Sequence, residues 1–227
     1  MRSLRSHPEY LAIAIAAVAW TEIVVSAALS HRTACCGPHP SILAELGAWC
    51  TMVAAMMLPT IVASLRDVSA RSYRVRRVRA VLACIAGYLV CWLAAGVPLL
   101  ALRPFGLAQH RWWMVALCGA AALWPLLPRR ARWWRSCHRT IPLCPVGRRA
   151  DYDAARQGIV IGRPCVAMCW PLMAICALTG HNIFVMIGGT VLALVERRMF
   201  RLERGRLFVG TLFVSLLVVA IMAPAAT

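Results

Sequence analysis

Cys165 and Cys169 stand four residues apart in a long apolar stretch, so on a helix both thiols project from one face, one turn apart. Met168 flanks them, and Met173 follows at i+4 from Cys169. A second soft stripe lies upstream, with Met52 and Met56 again at i and i+4, then Met57 and Pro59. Thiolate and thioether ligands in a dry helix bundle suit Cu(I), a soft ion that accepts two or three sulfurs. Zn(II) normally wants imidazole or carboxylate as well, and Glu22 is the acidic residue that lies clearly inside an apolar run. Met and Cys at helical spacing in membrane helices also serve as plain packing residues, so the spacing alone leaves both readings open. Cys50, Cys84, Cys91, Cys118 and Cys176 are expected to be packing residues of that kind.

Two further thiol groups lie between apolar runs. Cys137 and Cys144, with His138 beside the first, fall in a segment expected to face a reducing cytoplasm, where thiols stay free and available for metal. Their Cys-x6-Cys spacing is not that of a zinc finger, but Cys137 and His138 are placed to pass metal toward the buried sulfurs. Cys35 and Cys36, with His31 and His39 close by, fall in a loop expected outside the membrane. An oxidation-prone or disulfide-bonded pair and a surface metal acceptor are both open for them.

The elements that must position these sulfurs follow from composition. With 61% hydrophobic and 15% charged residues and a mean hydropathy of +0.71, the 227-residue chain has more apolar surface than a soluble domain of its size can bury. The expected fold is therefore all-α, a single integral membrane domain over residues 1–227 that forms a polytopic helix bundle. Seven apolar runs approach the length needed to cross about 30 Å of hydrocarbon. They extend over Tyr10 to Leu29, Glu45 to Leu65, Ala80 to Leu102, Trp112 to Leu127, Gly158 to Leu178, Asn182 to Val195 and Leu207 to Pro224. The first carries Glu22 and lacks a small-x-small cleavage site after it, so it is expected to remain as a helix.

All basic charge other than histidine is arginine, and its distribution sets the orientation. Of the 25 arginines, only Arg32, Arg103, Arg111 and Arg163 lie outside the segments that precede the first run or follow the second, fourth and sixth. Seven spans with a cytoplasmic N-terminus and a periplasmic C-terminus satisfy that alternation, in a bacterial inner membrane. The net charge of +17 is thus split into clusters between apolar runs rather than gathered on one face, which excludes a nucleic-acid partner. The longest connection, Pro128 to Gln157, begins with Arg129-Arg130-Ala131-Arg132-Trp133-Trp134-Arg135, a pattern expected to anchor at the headgroups of membrane lipid.

The stretch from Ala155 through Gly158, Gly162, Pro164, Cys165, Met168, Cys169 and Trp170 to Met173 resembles the signature of a bacterial family catalogued as predicted metal-binding integral membrane proteins, domain of unknown function 2182. So does Trp49-Cys50-Thr51-Met52-Val53-Ala54-Ala55-Met56-Met57-Leu58-Pro59, and the similarity extends from Gly180 to Glu196. The family usually has a Cys-Cys doublet before the Trp, where this chain has Met168-Cys169. It also has two closely spaced cysteines before a Pro, a motif that Cys137-His138-Arg139-Thr140-Ile141-Pro142 only approximates.

The resemblance implies a non-enzymatic protein that binds a soft metal, with copper as Cu(I) foremost. Its role would be copper delivery, assembly of a copper enzyme, or copper tolerance. Cys165 and Cys169 would be primary ligands with Met168, Met52 and Met56 as thioether partners, and a copper-containing membrane enzyme or a copper donor protein would be the partner. There is no phosphate-cradling loop and no chain of intramembrane carboxylates, so nothing points to an active pump. Two other classes remain: an accessory subunit using small residues such as Gly188-Gly189 for helix packing, and a membrane thiol-redox protein using Cys165 and Cys169 as a dithiol.

Overall fold

The computed structural model describes residues 7–30, 41–101, 119–120, 123–124, 130–137, 139–144, 146–178 and 182–199. The seventh apolar run, most of the fourth, and the residues Cys35, Cys36, His39, Cys118 and His138 lie outside them. The described residues form helices Tyr10–Ser30 (α1), Ile42–Met57 (α2), Val62–Ala70 (α3), Arg77–Ala101 (α4), Arg130–Cys137 (α5), Gly147–Leu178 (α6) and Ile183–Met199 (α7). A 3₁₀ turn, Leu58–Ile61, joins α2 to α3. Four helical stretches among the described residues are long and apolar enough to cross a membrane: Tyr10–Leu29, Ile42–Ala70, Arg77–Ala101 and Gly147–Ala177. Ile183–Val195, the expected sixth span, is a shorter apolar helix.

The prolines dictate where these helices bend. Pro59 has no N–H to give the Ala55 carbonyl, the helix tightens there into its 3₁₀ turn, and the Trp20 indole of α1 donates to that carbonyl at 3.1 Å instead. Pro171 leaves the Ala167 carbonyl without its helical donor in the same way, and the Trp124 indole supplies one at 2.9 Å. In hydrocarbon an unmet carbonyl costs several kcal/mol, so each tryptophan makes its proline tolerable and fixes the neighbouring segment.

The most extensive helix pairing is α4 with α6. Its cause is backbone contact: a Cβ on Gly87 would run into the Ala155 carbonyl, and one on Gly158 into the Cys84 carbonyl. Gly158 and Gly162 form a small-xxx-small step on which two helices approach closely. Helix α1 packs more loosely, burying Ala12, Ala16 and Ala19 as a stripe of small residues against α2 and its turn. Its Glu22, midway along an apolar helix, accepts a hydrogen bond from Thr51 at 3.4 Å.

Helix α6 begins at Gly147, in the left-handed region at φ +78°, well before the expected start at Gly158. The polar residues that suggest a loop from Arg148 to Gln157 are instead partners of the bundle end. Asp151 pairs with Arg76 at 2.8 Å and Arg79 at 2.7 Å. Near the same end, Glu9 ahead of α1 pairs with Arg66 of α3 at 3.4 Å. Burial acts to raise the Glu9 carboxyl, but hydrogen bonding to its own backbone, His7 and Arg66 outweighs it and leaves the group below the usual carboxylate range. The start of α1, the connection from Arg66 to Arg79 and the start of α6 thus share one end of the bundle.

Candidate metal centre

The chain between α5 and α6 is pinned by side chains of α6. Gln157, buried at 2% exposure, donates to the Arg139 carbonyl at 2.8 Å and accepts from the Ile141 N–H at 2.7 Å, replacing the backbone partners a strand would offer. Asp153 accepts from the Cys144 N–H at 3.0 Å. These clamps hold the residues just after Cys137 alongside α6. Met168 lies eleven residues beyond Gln157, about 16 Å along the helix, and Cys137 reaches it: its thiol donates to the Met168 thioether at 3.8 Å. Helix α5 therefore packs against the apolar half of α6, not beyond its end. Trp133 and Trp134, expected at headgroup level, are half-buried against the core, with Trp133 stacked on Trp124 at a ring separation of 5.6 Å.

The two sulfurs border a cavity of about 10 Å³, the room of one water-sized sphere. Cys165, Met168 and Cys169 line it from α6, Trp134 and Cys137 from α5, Thr60 from the 3₁₀ turn and Ala193 from α7. The soft run is bracketed by Pro164 and Pro171, and the turn after Pro59 brings Thr60 to it. Cys165 and Cys137 are each 3% exposed, and Cys169 is half-buried. The Cys165 sulfur and the Tyr88 hydroxyl of α4 share a hydrogen bond at 3.1 Å.

Of the residues expected from sequence, four come together here: Cys137, Cys165, Met168 and Cys169. Met52 and Met56 do not line the cavity. Both are fully buried, and the Met56 methyl packs at Gly189 of α7 beside Leu172. The second expected span meets the cavity through Thr60, one turn beyond Met56, and not through a methionine. Among the described residues no three His, Cys, Asp or Glu side chains converge as a ready-made site. The sulfur geometry is nonetheless suited to Cu(I). With copper–sulfur bonds of about 2.3 Å, the length of a zinc–thiolate bond, two sulfurs on a trigonal ion stand about 4 Å apart and on a linear ion about 4.6 Å. The 3.8 Å between Cys137 and Met168 matches the trigonal case, which leaves one position for a third sulfur from Cys165 or Cys169.

Gln157, Asp153 and Tyr88 were not legible as site residues, because the contacts that give them a role join different elements. The Gly158-x3-Gly162 step was a signal present in the sequence.

A family model described as PpoB2, copper chaperone, matches residues 46–223 of the chain. The match takes in the soft-ligand segments from Trp49 to Glu196 on which the family resemblance rests, and it bears out a copper-related family. No curated protein and no solved structure matches the chain.

Proposed function

Since the chain belongs to the copper chaperone family described as PpoB2, we propose that it is a non-enzymatic membrane chaperone that takes Cu(I) as cargo on the sulfurs of Cys137, Met168 and Cys165 and passes it to a copper-requiring membrane partner. The observation that carries this is the 3.8 Å approach of the Cys137 and Met168 sulfurs at a cavity that Cys165 and Cys169 also line. Cu(I) is stable with two or three sulfurs, so it moves by gaining an incoming ligand before losing an outgoing one, without ever being released to water. Cys169, half-buried beside the site, is the sulfur best placed to serve such an exchange. Cys137 comes from a short helix outside the long spans, and Gln157 of α6, by holding the backbone at Arg139 and Ile141, keeps that helix's end beside the α6 sulfurs.

Elemental analysis of detergent-purified protein, prepared under reducing conditions and loaded with Cu(I), is expected to give about one copper per chain. Purified protein with no copper but with reversible Cys165 and Cys169 oxidation would instead indicate a thiol-redox protein. Inertness to both would indicate an accessory subunit.

The same reading has seven spans in a bacterial inner membrane, with the N-terminus and the arginine-rich ends in the cytoplasm. It is supported by the arginine distribution and by the ion pairs that gather Glu9, Arg66, Arg76, Arg79 and Asp151 at one end. Reporter fusions after Arg77, Arg149 and Arg204 are expected to report cytoplasm, and a fusion at Thr227 periplasm. A cytoplasmic signal at Thr227 would mean an even number of crossings.

A further inference from the structure

We propose that Tyr88 is the positioning residue of the copper site: from outside the cavity wall its phenol holds the Cys165 sulfur by a hydrogen bond and so fixes the direction in which that sulfur meets the ion. The inference rests on the copper reading above and adds to it a residue from α4, an element that contributes nothing to the cavity wall.

Tyr88 is fully buried, and its hydroxyl lies 3.1 Å from the Cys165 sulfur. A phenylalanine would fill the same apolar space without the cost of burying a hydroxyl, so the hydroxyl needs its partner. As long as Cys165 is a thiol, either group can donate in this pair. Copper takes the place of the thiol hydrogen, which leaves as a proton to the surrounding water. The bound sulfur can then only accept, and the phenol O–H becomes the donor. Donors of this kind behind a metal ligand fix its direction and strengthen its hold.

The placement is rigid because backbone contact sets it. A Cβ on Gly158 would sit 2.8 Å from the Tyr88 nitrogen, and one on Gly162 3.3 Å from the Tyr88 oxygen of the main chain. Cys165 follows Gly162 by three residues, on the same face of α6. The α4–α6 contact therefore delivers hydroxyl and sulfur to each other as a fixed unit, while Cys137 arrives from a separate helix.

The test is a competition titration of Cu(I) against a chelator, with purified protein in detergent under anaerobic reducing conditions. Tyr88→Phe is expected to bind one copper about 10- to 100-fold more weakly than the wild type, with the thermal midpoint of the metal-free protein little changed. In a Cys165→Ser background the same substitution is expected to weaken binding no further. Infrared difference spectra of the wild type supply a measurement that needs no tyrosine variant to fold. Adding Cu(I) should shift a tyrosine C–O band, and the shift should be missing in Cys165→Ser. Equal affinities for wild type and Tyr88→Phe, equal losses in both backgrounds, or no tyrosine shift on copper binding would each overturn the role of Tyr88 while leaving the copper site standing. A wild type that takes up no copper would overturn the copper reading, and this inference with it.

Discussion

Replacing Cys137 and Cys165 together with serine is expected to abolish stoichiometric Cu(I) binding, the largest functional effect that any two substitutions in this chain should produce. The exchange swaps soft sulfur for hard oxygen at nearly constant volume and takes one ligand from each of the two helices that meet at the cavity. Only the neutral Met168 thioether and a single thiolate, Cys169, would remain, too weak a pair to hold the ion against cellular thiols. The fold should survive. A serine hydroxyl in a helix bonds the carbonyl four residues back, so neither position is left with an unmet polar group, and the stability loss should stay near 1 kcal/mol. Met52→Leu with Met56→Leu is the matching control, because those side chains are buried in the core and do not line the cavity; it should keep wild-type copper content. Copper content and copper-dependent growth at matched membrane abundance separate the cases. Wild-type copper in the double serine protein would rule out this site and direct attention to Cys35, Cys36 and His39.

The sequence made the membrane-helix class legible because composition and run length report directly on solvent, and the observed helices cover the expected first, second, third, fifth and sixth runs. It misplaced the start of α6 for a physical reason. Arg148 to Gln157 is polar, and hydropathy cannot distinguish a polar loop from a polar helix whose charges are met by Arg76 and Arg79 of another element. Helix α5 was legible only in part for a related reason: arginine beside tryptophan is the composition of a headgroup anchor, and only the pairing of Trp133 with Trp124 and of Cys137 with Met168 reveals that the helix is also laid against α6.

The site shows the same limit at finer scale. An i, i+4 period identifies which residues share a face, as it did for Cys165 and Cys169, but says nothing of what that face meets. Met52 and Met56 share a face as well, yet the Met56 methyl packs at Gly189 of α7, and the 3₁₀ turn at Pro59 brings Thr60 rather than a methionine to the cavity. Residues whose role is to join elements, such as Gln157 on the Arg139–Ile141 backbone, have no periodic signature at all.

Gly158→Ala should, like Gly87→Ala at the same helix contact, destabilise the protein more than a methyl group added at an open glycine. Glycine inside a helix is usually worse than alanine by about 1 kcal/mol, so on propensity alone the change would stabilise α6. Packing reverses the sign. The new Cβ would run into the Cys84 carbonyl oxygen and stand 2.8 Å from the Tyr88 nitrogen, and neither of these backbone groups can rotate away as a side chain would. The helices must separate instead, along the most extensive pairing in the bundle, and overpacking of this kind costs about 1–3 kcal/mol or more. Separation also draws Tyr88 from Cys165, so surviving protein should bind Cu(I) more weakly although the substitution touches no ligand. Gly47→Ala in α2 is the control, since its Cβ would meet nothing within 4 Å and only the propensity gain remains. Thermal unfolding in detergent decides the matter. A Gly158→Ala midpoint equal to that of Gly47→Ala would mean that the α4–α6 backbone contact does not hold the site together.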